Sequence, residues 1–322
     1  MVKKLVYAVT LFAGIALPAT AQVADASQAS AGGKDSHKVV VVTGARFSYT
    51  LVQRWIDEFN KEYPEIQVII ESRGSADPNQ YDVLAEVYEH DEKIKKNREY
   101  LQVGRYSILP VATAGSGFAK TYGEKGLDNK LVKQVFFHDI FADQNDKEKI
   151  NVPFTVYTRF QKAGAPVVFA KHYGFEQKDI NGKSIAGSDE HLLKALLRDS
   201  TGISYLPVPL IYDLKSRAVA AGLTVIPVDL DGNGKVKSDE RGVYSNLDQL
   251  LHALEDGGAK NLPTAFLHLS VDKEKVSNES LKFLKWVEQN GGTYLKEFGY
   301  LGAGEVNTNN KAFDAFVSGR GL

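Results

Sequence analysis

Residues 39–70 read VVVVTGARFSYTLVQRWIDEFNKEYPEIQVII. This stretch decides the fold because the spacing of its apolar residues changes from that of a strand to that of a helix and back. Four β-branched residues, Val39–Val42, predict a buried strand that ends in a turn of small and polar residues. Apolar residues then recur at helical spacing and predict one buried helix face, Leu51, Trp55, Phe59 and Tyr63. Pro64 ends this helix, and the next apolar run, Ile66–Ile70, predicts a second strand.

The same alternation continues along the rest of the chain. We predict further helices at 83–97, 131–141 and 191–199, and extended segments at 100–113 and 152–160. Strands that alternate with helices favour an α/β fold with parallel strand pairs.

The chain shows no internal repeat and no low-complexity linker after residue 38. Chains of about 300 residues commonly divide into two domains, so we expect the polypeptide to cross between two lobes more than once. We place lobe one at 39–112 and 207–322, and lobe two at 113–206. The hinges are expected near Pro110–Ala112 and Leu206–Pro207.

The N-terminus has the three parts of a secretory signal peptide. Lys3 and Lys4 precede an apolar run, Leu5–Pro18, and the small residues Ala19-Thr20-Ala21 form a cleavage site. We therefore predict a signal peptide at 1–21, then a disordered lead-in at 22–37 that is rich in Ala, Ser and Gly. The mature chain is expected to be a soluble periplasmic or secreted protein.

Charge and cysteine content narrow the class further. The formal net charge is −1, with 39 basic and 40 acidic side chains interspersed along the chain. This balance argues against a nucleic-acid partner, which calls for an excess or stripe of Lys and Arg. The chain has 0 cysteines, so its fold is held without disulfides and it has no residue for a lipid anchor.

Five segments together resemble the phosphate-type solute-binding proteins of ABC transporters. They follow the order of that family across nearly the whole mature chain, at 43–50, 73–76, 157–169, 199–206 and 281–301. The resemblance implies a two-lobed, type II periplasmic-binding-protein-like α/β fold, each lobe a mixed sheet flanked by helices. It also implies capture of a small anion, phosphate or a similar oxyanion, in an interlobe cleft and delivery to a transporter permease. We expect the protein to be a monomer.

Candidate ligand-binding residues are polar groups at strand ends and helix starts. A turn that opens a helix presents free N–H groups and the positive end of the helix dipole, which favours an anion. Thr43, Ser48, Thr50 and Ser75 are candidates of this kind, with ordinary N-capping as the alternative. Gly164 begins another such helix and offers its backbone.

Two arginines are further candidates. Arg159 ends a strand at the position where the family carries its anion-binding Arg, and its guanidinium offers a planar fork of donors. Arg105 follows Gly104 in an extended segment, and the alternative for it is a surface or salt-bridged side chain.

The turn after Arg159 departs from the family. The family carries a Ser and a Thr around a Gly, whereas this chain has Ala163-Gly164-Ala165 and lacks two hydroxyl donors. A ligand other than phosphate therefore stays open, and so does an extracytoplasmic interaction protein that kept this fold but lost its ligand.

The sequence contains none of the common enzyme motifs. There is no His-Glu-x-x-His, no Gly-x-Ser-x-Gly, no phosphate-binding loop and no dinucleotide fingerprint, and the seven histidines show no metal-ligand spacing. We predict that the protein is not an enzyme and has no catalytic residues. A secreted hydrolase with carboxylates from distant segments is the alternative.

Residues 229–240, DLDGNGKVKSDE, fit the twelve-residue calcium loop D-x-D-x-N-G-x5-E at every specified position. Calcium binds six to eight hard oxygens, so we predict a calcium site formed by Asp229, Asp231, Asn233, the Lys235 carbonyl and Glu240. A strand precedes the loop and no paired loop accompanies it, which favours a structural calcium. The alternative is an acidic turn without metal.

Overall fold

The computed structural model describes residues 38–72, 80–87, 96–137, 150–304 and 308–321, the side chains of 308 and 309 excepted. The predicted signal peptide at 1–21, the lead-in at 22–37 and the candidate Ser75 lie outside the described residues.

Strands and helices alternate through the described ranges. The strands are β1 (Lys38–Gly44), β2 (Ile66–Ile70), β3 (Val83–Glu86), β4 (Arg98–Thr113), β5 (Thr155–Arg159), β6 (Lys183–Ile185), β7 (Gly202–Pro207), β8 (Leu223–Val225) and β9 (Thr264–Asp272). The helices are α1 (Tyr49–Glu62), α2 (Gly117–Lys125), α3 (Asn129–Phe136), α4 (Gly164–His172), α5 (Asp189–Leu197), α6 (Ser238–Val243), α7 (Leu247–Glu255), α8 (Asn278–Asn290) and α9 (Thr308–Ser318). None of the helices in these ranges has the length and apolar character that crossing a membrane requires.

The strands form a mixed sheet in the order β2-β1-β3-β9-β4-β7-β5-β6, with β8 on β4. The pairs β1–β2, β1–β3, β5–β6 and β5–β7 are parallel, whereas β4 and β9 pair only antiparallel. The sheet is thus parallel at both ends and antiparallel in the middle.

Strand β4 joins two groups of strands. Residues Arg98–Ser107 pair with β9, whereas Ile108–Ala112 pair with β7 and Val111–Thr113 pair with β8. One continuous strand therefore carries the chain from the first group, β1, β2, β3 and β9, into the second, β5, β6, β7 and β8. The lobe boundaries predicted from the sequence stay a prediction.

Helix α1 forms as the periodicity predicts. Its face toward the sheet is buried, with Leu51, Val52, Trp55, Ile56 and Phe59 at 2% exposure or less. The ring of Phe59 meets the ring of Phe283 in α8 edge to face at 5.3 Å, and the Trp55 indole donates to the Gly291 carbonyl at 3.0 Å. Burial of each of these side chains contributes about 1.5–3 kcal/mol of hydrophobic free energy to folding. Together these contacts fix the orientation of α1.

The predicted helix at 83–97 is wrong at its beginning. Residues Val83–Glu86 form strand β3 between β1 and β9, and all four are buried. A strand covered on both faces has no polar alternation, so its apolar run cannot be distinguished from a helix by period alone.

Candidate functional site

The carboxyl end of β5 carries a buried ion pair. Arg159, the last residue of β5, donates from Nη1 to Oδ1 of Asp189, the first residue of α5, at 2.9 Å. The two side chains are 11% and 9% exposed. Burial raises the pKa of the Asp189 carboxyl, and the Arg159 charge opposes this rise.

The guanidinium of Arg159 also has a buried donor that the ion pair with Asp189 does not use. Its Nε is buried and has no hydrogen-bond partner among the described residues. Since buried donors are almost always paired with protein or with a bound molecule, this atom is a candidate donor to an acceptor oxygen of a ligand.

Two buried tyrosines surround the ion pair. The hydroxyls of Tyr205 and Thr158 are 2.6 Å apart, and the Tyr106 hydroxyl donates to the Val87 carbonyl at 2.7 Å. Burial raises the pKa of the Tyr106 phenol, and the charge of Asp189 raises it further, so this phenol remains a neutral donor. Tyr106 of β4 thus bonds to the residue after β3, whereas Tyr205 of β7 bonds to Thr158 of β5, next to Arg159.

The turn that opens α1 reaches the same place. The Phe47 ring lies 5.1 Å from the Tyr106 ring, and the 3₁₀ turn Arg46–Ser48 contacts α5. Ser48 is fully buried and donates from Oγ to the Ala45 carbonyl at 2.7 Å, without a side-chain capping bond to α1. The amide of Tyr49, the first residue of α1, donates to the Arg46 carbonyl within this turn. The turn therefore brings the start of α1 close to α5, and its own carbonyls pair the amides of Ser48 and Tyr49.

The start of α4 is closely covered. A Cβ added to Gly164 would lie 2.3 Å from Cγ2 of Val87, and the Ala163 amide donates to Oε1 of Gln177 at 3.3 Å. Only glycine allows the two segments to approach this closely. Val87 therefore links Gly164 to Tyr106.

Three other predicted residues lie elsewhere. The Thr43 hydroxyl donates to the Glu71 carbonyl at 2.8 Å, beyond the end of β2, and Thr50 is exposed on α1. Arg105 pairs with Leu301 through its backbone and donates from Nε to the Gly302 carbonyl at 2.9 Å. Adjacent strand residues point to opposite faces, so Arg105 faces away from its neighbour Tyr106.

The structure thus brings Arg159, Ser48 and Gly164 toward Tyr106, and adds residues that the sequence did not identify. Asp189 is the main addition. In the sequence Ser188-Asp189 reads as an ordinary helix start, where an acidic residue suits the dipole, and nothing there indicates that its partner is Arg159.

The predicted calcium loop, residues 229–240, brings three carboxylates together. Asp229, Asp231 and Glu240 each have a carboxylate oxygen within 4.8 Å of the others. Asp229 accepts from the amides of Gly232 at 2.8 Å and Gly234 at 2.5 Å, and Glu240 accepts from the Leu230 amide at 2.9 Å. These hydrogen bonds curve the loop so that the three carboxylates converge on one point.

Lys237 supplies a positive charge to this loop. Its Nζ lies 3.0 Å from Oδ2 of Asp231, and this hydrogen bond lowers the pKa of the Asp231 carboxyl to about 2. Three carboxylates with one ammonium leave an excess of negative charge on hard oxygen donors, which fits a divalent cation such as calcium. Asn261 holds the loop in place by donating to the Asp229 carbonyl at 2.6 Å.

Comparison with known proteins places the fold. No protein-family model and no curated protein matches the sequence. Among solved structures, the chain is similar to one described as a phosphate ABC transporter substrate-binding protein with bound phosphate from Clostridium perfringens, with a TM-score of 0.61 and 11% identity over 82% of this chain and 99% of that one. It is also similar to an ABC-type phosphate transport receptor from Vibrio cholerae, with a TM-score of 0.54 and 9% identity over 82% of this chain and 100% of that one.

These likenesses confirm the predicted fold class. The chain has the two-lobed, periplasmic-binding-protein-like α/β fold of phosphate-type solute-binding proteins. At this level of identity the likeness describes the fold alone, and function has to be argued from the site.

Proposed function

We propose that this protein is an exported, non-enzymatic solute-binding protein that captures phosphate or a similar oxyanion beside Arg159 and passes it to an ABC transporter permease. The observation that carries the proposal is the buried Nε of Arg159, which has no acceptor among the described residues. It acts from the periplasm or outside the cell and as a monomer.

The charges around this donor favour an oxyanion that carries a proton. The Arg159 guanidinium donates, whereas the Asp189 carboxylate only accepts. A hydrogen phosphate ion satisfies both kinds of partner because it has acceptor oxygens and one O–H. Sulfate has no proton to donate to Asp189, so we expect it to bind more weakly than phosphate.

The first test is phosphate-dependent stability. Saturation at a hundredfold excess over the dissociation constant should add about 2.7 kcal/mol to the free energy of unfolding. Arg159→Lys keeps the charge but loses the planar fork, so it should remove most of this gain. Urea unfolding of the mature protein with and without phosphate, repeated with sulfate, measures both effects.

The matched control is Arg105→Lys, since Arg105 donates to the Gly302 carbonyl instead. This variant should keep the full phosphate response. Equal losses in the two variants, or no response of the wild-type protein to any oxyanion, would contradict the proposal.

A second candidate is an extracytoplasmic interaction protein without a small ligand. It is favoured by the contact between Val87 and Gly164, which covers the start of α4, together with Ala163 and Ala165 in place of hydroxyl residues. This function predicts a protein whose stability does not change with phosphate, sulfate or other oxyanions.

We also propose that residues 229–240 bind a structural calcium ion. Asp229, Asp231 and Glu240 would supply carboxylates, Asn233 its side-chain oxygen and Lys235 its carbonyl. The convergence of the three carboxylates within 4.8 Å supports this proposal.

Calcium should raise the unfolding midpoint of the mature protein relative to the same protein in chelator. Glu240→Gln loses the bidentate ligand that closes the loop and should reduce the calcium response at least tenfold in apparent affinity. Asp239→Asn is the control, because this exposed residue occupies a loop position that supplies no ligand. A calcium response that both variants retain would show that the loop is an acidic turn without metal.

A further inference from the structure

The side chain of Val87 lies at the N-terminal end of α4. A Cβ added to Gly164, the first residue of α4, would lie 2.3 Å from Cγ2 of Val87 and 3.1 Å from the Val87 carbonyl oxygen. The Cα–Cβ bonds of a helix tilt toward its N-terminus. Val87 therefore covers the end of α4 at which the backbone N–H groups have no partner within the helix.

Two buried amides at this end of α4 have no acceptor. Gly164 and Ala165 are both buried. Among the described residues, no carbonyl and no side chain accepts a hydrogen bond from either of their N–H groups. The amide of Ala163 is paired with Gln177, and Pro166 has no N–H. Since buried backbone donors are almost always paired, these two amides are candidate donors to a ligand.

The group that covers these donors is apolar. Val87 is 5% exposed, and its two γ-methyl groups neither donate nor accept a hydrogen bond. Its Cγ2 occupies the space beside Gly164 without pairing the amide. A ligand oxygen cannot occupy the same space, so the side chain of Val87 limits access to the start of α4.

The position of Val87 is fixed from the opposite side. The buried hydroxyl of Tyr106 donates to the Val87 carbonyl at 2.7 Å. The Tyr106 ring is itself held by Phe47, with 5.1 Å between ring centroids. A β-branched side chain such as valine also has few rotamers. Val87 therefore does not turn away from α4 without breaking contacts in the core.

The covered amides belong to the site beside Arg159. The side chain of Gln177 donates to the Arg159 carbonyl at 3.2 Å and accepts from the Ala163 amide at 3.3 Å. One side chain thus joins the end of β5 to the residue before α4. The start of α4 and the guanidinium of Arg159 accordingly belong to the same end of this group of strands.

We propose that Val87 determines how tightly the site beside Arg159 binds an oxyanion, because it covers the amides of Gly164 and Ala165. This role rests on the phosphate site proposed above. With Val87 in place, the buried donor that the site offers is Nε of Arg159. Without the two γ-methyl groups, both amides and the positive end of the α4 dipole become available to the same anion.

The test is calorimetric titration of the mature protein with inorganic phosphate. Val87→Ala should lower the dissociation constant at least about tenfold, since hydrogen bonds from the uncovered amides to a charged oxygen are added. The matched control is Val83→Ala in β3, where the valine is fully buried. This variant loses the same two methyl groups away from α4 and should bind phosphate like the wild-type protein.

The variant that carries both Val87→Ala and Gly164→Ala fills the space again. Its new Cβ on residue 164 enters the position from which Cγ2 of Val87 has been removed. It should therefore lose most of the gain in phosphate affinity. Gly164→Ala alone should lower the urea midpoint of unfolding, and Val87→Ala in the same chain should restore it. A midpoint that Val87→Ala does not restore would overturn the contact on which the role of Val87 depends.

The wild-type protein and Val87→Ala together separate this role from the proposed function. If the wild-type protein binds phosphate and Val87→Ala binds it no more tightly, Val87 does not set the affinity and the proposed function stands. If only Val87→Ala binds phosphate, Val87 blocks the site and the proposed function of the wild-type protein is wrong. An equal gain in Val83→Ala, or no binding by either protein, would also overturn the role of Val87.

Discussion

Replacing Arg159 by alanine should lower the free energy of unfolding by about 3–5 kcal/mol at neutral pH. The variant leaves the Asp189 carboxylate at 9% exposure without its cation. An unpaired buried charge is far more costly than a buried pair, because the desolvation of the carboxylate is no longer offset by the guanidinium. Urea unfolding of both proteins at pH 7 measures the difference.

The free energy of unfolding of the same variant should approach that of the wild-type protein as the pH falls. Burial already raises the pKa of Asp189 and Arg159 opposes the rise, so removing Arg159 raises this pKa further. The folded variant then binds a proton more readily than the unfolded chain, whose aspartate titrates near about 3.9. Its stability relative to the wild-type protein therefore increases as the pH falls through this raised pKa, because the proton neutralises the unpaired carboxylate.

The double variant Arg159→Ala with Asp189→Asn provides the control. It carries no buried charge at this position, so it should lose less free energy than Arg159→Ala alone and should show none of that variant's extra pH dependence. If Arg159→Ala costs less than about 1 kcal/mol, or if its cost is independent of pH, the pair behaves as an exposed ion pair instead.

The sequence predicts the elements whose signals are local. In residues 39–70 the strand, the turn, the helix face and the stop at Pro64 are each encoded within a few positions, and the structure has β1, α1 and β2 there. Buried β-branched runs and helical spacing act over one element and need no information about distant neighbours.

The parts that the sequence does not predict depend on contacts between distant segments. Val83–Glu86 is a strand because β1 and β9 cover it, and β9 lies about 180 residues later in the chain. Asp189 belongs to the site because it pairs with Arg159, 30 positions away. Neither the composition of the sequence nor the spacing of its apolar residues indicates the strand pairing of Val83–Glu86 or the Arg159–Asp189 ion pair. Both form only when the sheet has assembled.

Among changes that add one methyl group near the start of α1, Gly44→Ala is expected to lower the free energy of unfolding most. Gly44 has φ +132°, and a Cβ there would lie 2.1 Å from the Ala85 carbonyl oxygen of β3. Strain and this contact together should cost about 3 kcal/mol or more, because two paired backbones have to move apart. The turn that opens α1 would shift with them, so phosphate binding should also weaken.

Gly115→Ala separates the two causes of this cost. Gly115 also has a positive φ, +76°, but a Cβ there would meet nothing within 4 Å. It should lose only the roughly 1–2 kcal/mol of a left-handed backbone, and it should keep its phosphate response. If the two alanine variants unfold at the same urea concentration, backbone strain accounts for the whole effect. A larger loss at Gly44 would instead show that the close approach of β1 to β3 is what sets the position of the turn that opens α1.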